Sequence, residues 1–193
     1  MRVYNRDTNE AIGWKQVGGD IDGEAANDQS GHSVAMSSDG TRIAIGAPYN
    51  DVYSGHVRVY EYDATKTTAV TDQTSSTFGP IGWNRVGGDI DGEDTDDFSG
   101  YSVAMNSSGT RIAIGAPYND GVNGTRSGHV RVYDYKIPTT DEWTNGNVIK
   151  EGDTDQESGK SYFTQVGGDI DGEDIYNGYL GLSVALSLSL IHI

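Results

Sequence analysis

The residue types with the most chemical potential in this sequence are carboxylates at a fixed, repeated spacing. Gly19-Asp20-Ile21-Asp22-Gly23-Glu24 returns as Gly88-Asp89-Ile90-Asp91-Gly92-Glu93 and again as Gly168-Asp169-Ile170-Asp171-Gly172-Glu173. A further acid follows the first two copies, at Asp28 and Asp97. Hard oxygen ligands at alternating positions suit calcium, which takes about six or more of them. The same spacing suits an Asx-type turn, in which the carboxylates accept from backbone N–H groups and keep a sheet edge soluble. Both readings stand on the sequence. The candidate metal residues are Asp20, Asp22, Glu24, Asp28, Asp89, Asp91, Glu93, Asp97, Asp169, Asp171 and Glu173, with calcium as the cofactor they would hold. Tyr49-Asn50-Asp51 and Tyr118-Asn119-Asp120 are candidate ligand contacts, because their tyrosines fall in loops rather than strands. No nucleophile elbow, phosphate-binding glycine loop or His-Glu-x-x-His occurs, so no catalytic residue is expected.

Charge narrows the partners. Lys and Arg total 13 against 29 Asp and Glu, a formal net charge of -16. A field of that sign repels phosphate backbones and anionic membrane surfaces, so protein or glycan ligands are expected and nucleic acid is not. There is no Cys, hence no disulfide framework and no thiolate chemistry. No apolar stretch approaches the roughly 18 residues of a membrane span.

These acidic loops must be positioned by a repeating scaffold. Ser30-Gly-His-Ser-Val-Ala-Met36 is matched by Ser99-Gly-Tyr-Ser-Val-Ala-Met105 and Leu180-Gly-Leu-Ser-Val-Ala-Leu186. Thr41-Arg-Ile-Ala-Ile-Gly-Ala-Pro48 recurs at Thr110–Pro117, and Gly55-His-Val-Arg-Val-Tyr60 recurs at Gly128–Tyr133. Each unit holds four short runs rich in Val, Ile, Tyr and Trp, separated by Gly, Asn, Asp and Ser, the pattern of an antiparallel meander. Leu is absent before residue 180, which argues against helices. The expected fold is all-β, made of four-stranded propeller blades: two complete blades plus parts of two others. The expected segments are 1–13 (end of a preceding blade), 14–82 and 83–162 (full repeats), 163–187 (start of a third) and 188–193. That last stretch, Leu-Ser-Leu-Ile-His-Ile, equals an in-frame translation of a transposase-type adapter and is expected to be a non-native tail.

Within the units, Ser37-Ser-Asp39-Gly40 reads as a tight hairpin, with Gly40 supplying the positive φ. Segments 63–81 and 136–160 read as variable surface loops. Trp14 and Trp83 are expected to pack between blades, and the recurrent His56 and His129 to be architectural. Arg58 and Arg131 are expected to pair with nearby acids in a solvated arrangement of little energetic worth.

Phe98-Ser-Gly-Tyr-Ser-Val-Ala, Ile-Gly115-Ala-Pro117 and Gly-His-Val-Arg-Val-Tyr133 together resemble the FG-GAP repeat, which builds the seven-bladed propeller of integrin α-subunits and of many surface proteins. The resemblance covers nearly the whole chain to Ser187. It implies that the Ser-Val-Ala strand is innermost, the Trp strand outermost, and that the rim carrying both the acidic loops and Tyr-Asn-Asp is the ligand-binding one. The family's hairpin calcium loop, Asp-x-Asp-x-Asp-Gly, is reduced here to Ser-Ser-Asp39-Gly or Ser-Ser108-Gly109 and is not carried over.

The expected function is a non-catalytic adhesion or binding module, extracellular or at the cell surface, engaging protein or glycan through its rim loops with calcium in support. The rival readings are an accessory propeller of a secreted hydrolase and a TolB-like or WD-type intracellular scaffold.

Overall fold

The computed structural model describes residues 1–75, 77–137, 162–173, 177–187 and the backbone of 191–192. Two sheets dominate. In the first, β3 (Ser33–Met36), β4 (Arg42–Ala47), β5 (His56–Tyr62) and β6 (Trp83–Arg85) follow one another in space as in sequence, and β7 (Ile90–Asp91) extends the outer edge by pairing with β5. The second repeats this with β8 (Ser102–Met105), β9 (Arg111–Ala116), β10 (His129–Lys136), β11 (Tyr162–Gln165) and β12 (Ile170–Asp171). All these ladders are antiparallel. Two hairpins flank the sheets: β1 (Tyr4–Arg6) with β2 (Trp14–Gln16), and β13 (Ala185–Leu186) with β14 (Ile191–His192).

The strand assignment follows from residue chemistry. β4 and β9 read Arg-Ile-Ala-Ile-Gly-Ala and are buried on both faces after the first residue, as befits strands covered by neighbours on each side. β3 and β4 are joined by the Ser37–Gly40 turn, where Gly40 has φ 72° and its N–H donates to the Ser37 carbonyl. The only helical stretch among the described residues, Asn50–Tyr53, is a single irregular turn: Asp51, Val52 and Tyr53 all have positive φ. Segment 63–81 connects β5 to β6 and closes on itself through a Val70–Gly79 bridge. The second loop lies, from residue 138 to 161, outside the described residues.

Sequence repeat and sheet are offset by one strand. The Trp83 run that opens the repeat at 83 completes the preceding sheet, since Tyr62 pairs with Trp83.

The core lies between sheets rather than within them. Ala44, Val57, Val59 and Val86 of the first sheet meet Ile112, Ile114, Tyr133 and Phe163 of the second. The opposite face of the first sheet packs Ile43, Ile45, Tyr60 and Trp83 on Val3 and Ile21. The far face of the second packs Ala113, Val130 and Val132 on Leu180, Val184 and Leu186. The first strands of consecutive sheets, β3, β8 and β13, adjoin one another. Four-stranded antiparallel sheets stacked face to face around their first strands are β-propeller blades.

Two glycines set the spacing of each seam. Gly46 in β4 lies against Gly100 of the next unit: a Cβ on Gly46 would overlap the Gly100 carbonyl oxygen, and one on Gly100 would sit 3.2 Å from the Gly46 Cα. The Ser33 hydroxyl donates to that same carbonyl at 2.7 Å. Gly115, Gly181 and Ser102 repeat the arrangement one blade later, again at 2.7 Å.

Candidate functional site: the acidic rim and its aromatic cleft

The first Asp of each acidic motif meets the arginine of the strand beside it. Asp20 accepts from Arg2, Asp89 from Arg58 Nε and Nη2 at 2.7 Å each, and Asp169 from Arg131 Nε at 3.0 Å. In the first two motifs the Glu reaches forward to the arginine of the following blade: Glu24 pairs with Arg58, and Glu93 with Arg131. The first two acidic loops therefore each link two blades. Contrary to the solvated pairing expected from sequence, Arg58 and Arg131 are 5% and 8% exposed. Burial disfavours the Arg58 charge, but the hydrogen bonds and charges of Asp89 and Glu24 outweigh it and hold the guanidinium firmly protonated. Sequence reasoning undervalued these arginines because period-2 alternation does not tell which faces of a strand a neighbouring blade covers.

The fourth acid of the motif is a cap. Asp28 Oδ2 accepts from the Ala25 N–H at 3.0 Å and from Asn50 Nδ2 at 3.1 Å, and Asp97 does the same with Asp94 and Asn119. Both carboxylates are buried. This bond ties the acidic loop to the Tyr-Asn-Asp segment, so Asp28 meets Asn50, and Asp97 meets Asn119, on one rim. The hairpin at the opposite end of the strands does not fit calcium: Asp39 spends its Oδ1 on Ser37 and Thr41, and in the second blade Asn106 Oδ1 accepts from the Thr110 and Arg111 N–H groups.

Asp22, Asp91, Asp171 and Glu173 make no ion pair among the described residues. Asp91 is the informative one. Although the residue reaches solvent, partial burial of its carboxyl, then the charges of Asp89, Asp51 and Glu24, push it up to about 6. Unfolded aspartate titrates near about 3.9, so folding binds this proton more tightly. Its favourable contribution is full below about pH 4 and is lost as pH rises through about 6. Asp91→Asn is accordingly expected to raise the melting temperature at about pH 7.5 and to change it little at about pH 4. Thermal unfolding by circular dichroism reads this, and a lower melting temperature at the higher pH contradicts it.

On the same rim the rings form a continuous run. Tyr53 stacks on Phe98 at 5.4 Å with an interplanar angle of 6°, Tyr49 meets Phe98 edge-on at 5.3 Å, and Phe98 meets Tyr118 at 4.8 Å. Tyr118 continues to Tyr179 at 5.1 Å, and Tyr101 meets His32 at 4.7 Å. Tyr49, Tyr53, Phe98, Tyr101 and Tyr118 line an open cleft of about 370 Å³, with Asp96 and Arg126 at its edge. The Arg126 guanidinium stands over the Tyr118 ring at 5.6 Å.

The cleft is built from unusual backbone. Phe98 and Tyr179 present their rings from left-handed φ of 57° and 51°, and Gln29 holds the same place in the first unit at 54°. Left-handed φ in bulky residues costs energy that surrounding contacts must offset, and such residues gather at binding sites. Sequence reasoning singled out Tyr49 and Tyr118 but missed Tyr53, Phe98 and Tyr101. The one available signal was the recurrence of position 98 just ahead of Ser-Gly. Of the tryptophans, Trp83 is fully buried between blades, but Trp14 is 54% exposed in the β1–β2 hairpin and does not pack as expected.

A stack of four-stranded antiparallel blades with a shared rim defines a partial β-propeller. Within it, residues 89–133, from the second acidic loop through β8 and β9 into β10, match the FG-GAP repeat. The chain thus carries an FG-GAP repeat, and an integrin α-like propeller agrees with this fold. No curated protein matches the chain. Two seam glycines lie within the matched residues: Gly100, which follows Phe98-Ser99 and meets Gly46, and Gly115 of the Gly-Ala-Pro segment, which meets Gly181.

Proposed function

We propose that this propeller segment is a non-catalytic binding module, extracellular or at the cell surface, that takes a basic segment of a partner protein into the rim cleft. The observation that carries this reading is the aromatic cleft itself, with Arg126 standing over the Tyr118 ring. That contact is a cation–π pair supplied by the chain's own side chain, and it marks the ring faces as a place where a guanidinium rests. Asp94, Asp96 and Asp120 border the adjoining depression, and the chain's charge of -16 draws cationic partners toward them. Calcium has a supporting part: the Asp91 carboxyl, pressed by the charges of Asp89, Asp51 and Glu24, would be relieved by a divalent cation as it is by a proton.

The test is to screen the chain against arrays of Arg- and Lys-containing peptides and of glycans. Basic peptides are expected to bind, more weakly as salt rises. Tyr53→Ala is expected to cost about 2 kcal/mol, roughly thirtyfold in Kd, without unfolding the chain, because Tyr53 is 45% exposed. Binding confined to glycans, or untouched by this variant, rejects the reading. A melting temperature at about pH 7.5 that does not respond to added calcium removes calcium from it.

A further inference from the structure

The second seam contains an arrangement that the rim cleft does not use. His129 is buried, 2% exposed, at the start of β10. Its Nδ1 is buried without a hydrogen-bond partner. That nitrogen lies 4.0 Å from Glu93 Oε2 and 3.9 Å from Asp169 Oδ2. The ligand atoms of Glu93, His129 and Asp169 all fall within 4.8 Å of one another.

A nitrogen lone pair with no donor to satisfy it, facing two carboxylate oxygens, is a repulsive arrangement unless a cation or a proton joins them. We propose that Glu93, His129 and Asp169 form a transition-metal site, suited to Zn²⁺ rather than to Ca²⁺, that clamps one blade to the next.

The donor set is one imidazole nitrogen and two carboxylate oxygens. Zinc accepts such mixed ligands and commonly leaves its fourth position to water, whereas calcium prefers an all-oxygen shell of six or more. Tetrahedral zinc at its usual bond lengths sets ligand atoms about 3.3 Å apart, so the two separations from His129 Nδ1 must close by about 0.6–0.7 Å and that between the carboxylates by at most about 1.5 Å. Glu93 has room to make that movement, with 48% of its side chain exposed, and it also gives the ion a way in from solvent.

Arg131 does not block the site. It pairs with Glu93 through Oε1, and it holds Asp169 through Nε on Oδ1 at 3.0 Å and a longer Nη2 bond to Oδ2 at 3.3 Å, so Glu93 Oε2 and a second lone pair of Asp169 Oδ2 remain for an ion beside His129. Gln165 Nε2 adds a second bond to Asp169 Oδ1 at 2.7 Å. These donors orient the carboxylates in the way outer partners do around metal ligands. Glu93, Asp169 and Arg131 together carry one net negative charge, and Asp97 and Asp171 add to the negative field at His129.

The equivalent trio one blade earlier, Glu24, His56 and Asp89, also falls within 4.8 Å but carries a different charge. Arg85 bonds Asp89 at 3.0 Å where the second seam has the neutral Gln165, so two guanidinium groups already balance its two carboxylates. The ion is therefore assigned to the second seam.

Zn²⁺ and Ca²⁺ are titrated calorimetrically into the full chain and into His129→Gln, Glu93→Gln and His56→Gln. One Zn²⁺ per chain is expected, not displaced by Ca²⁺, bound at least about tenfold more weakly in H129Q and E93Q and less than about twofold more weakly in H56Q. Should H129Q fail to fold, nitrogen-15 NMR of the histidine-labelled wild-type chain reads the same point: Zn²⁺ must shift one imidazole, and that resonance must persist in H56Q. Absence of Zn²⁺ binding, displacement by Ca²⁺, survival of binding in folded H129Q, or an equal loss in H56Q overturns the assignment.

Discussion

Replacing Gly115 by alanine is expected to cost about 3 kcal/mol, the upper end of what overpacking costs. The added methyl meets the Gly181 carbonyl oxygen, and the Gly115 Cα already lies 2.9 Å from where a Cβ on Gly181 would stand. Neither neighbour is a side chain that could rotate away. The two backbones must separate, which also stretches the 2.7 Å bond from the Ser102 hydroxyl to that carbonyl. For a chain of this size the melting temperature should fall by about 6–12 °C. Gly168→Ala is the control, because nothing lies within 4 Å of its Cβ position, and it should change stability by less than about 0.5 kcal/mol. Equal effects in the two variants would mean that blade spacing is not set by the glycine pair.

Trp83→Ala is expected to cost more, about 3–5 kcal/mol, the range for emptying a buried aromatic site. Trp83 is fully buried among Val3, Ile21, Ile43, Ile45 and Tyr60, and its indole N–H donates to the Val17 carbonyl at 3.1 Å. Removal leaves both a cavity and a half-buried carbonyl without its indole donor at the first seam. Trp14→Ala, at the matching place in the sequence repeat, should cost less than about 0.5 kcal/mol, since Trp14 is 54% exposed. Urea denaturation of the two variants separates them. A Trp83 variant as stable as the Trp14 one contradicts the packing described.

These two tryptophans show where sequence reasoning reaches and where it stops. Strand pattern, four-strand grouping and the hairpin at Gly40 were legible because they are local: alternation and turn chemistry within about ten residues decide them. Burial of a given repeat position was not, because it depends on which neighbour covers it. Trp14 and Trp83 occupy the same place in the motif and have opposite exposures. The rim followed the same division. Meander geometry put Asp28 with Asn50 and Asp97 with Asn119 on one edge, and the structure joins each pair by a hydrogen bond. The Tyr53–Phe98 stack and the Glu24–Arg58 pair cross a seam, where the side-chain register between separate sheets leaves no period in the chain. The recurrence of His56 and His129 gives both an architectural reading, and the difference in their surroundings, Gln165 in place of Arg85, lies on a different strand.

The pairing of each arginine with the acidic loop on either side bears on how such a chain grows. The first two loops each supply one carboxylate to the arginine behind and one to the arginine ahead, from Asp20 and Arg2 through Glu24, Arg58 and Asp89 to Glu93 and Arg131, where Asp169 of the third loop joins. A gene duplication that copies one whole period, wherever its breakpoints fall, reproduces both halves of the link and leaves no guanidinium stranded. A deletion that takes an arginine or an acidic loop alone leaves a buried charge without its counter-ion, whereas a change in the length of the connection between β5 and β6, or between β10 and β11, leaves the link intact. The ionic ladder therefore suits gain or loss of a whole blade, even though the sequence repeat begins one strand out of step with it.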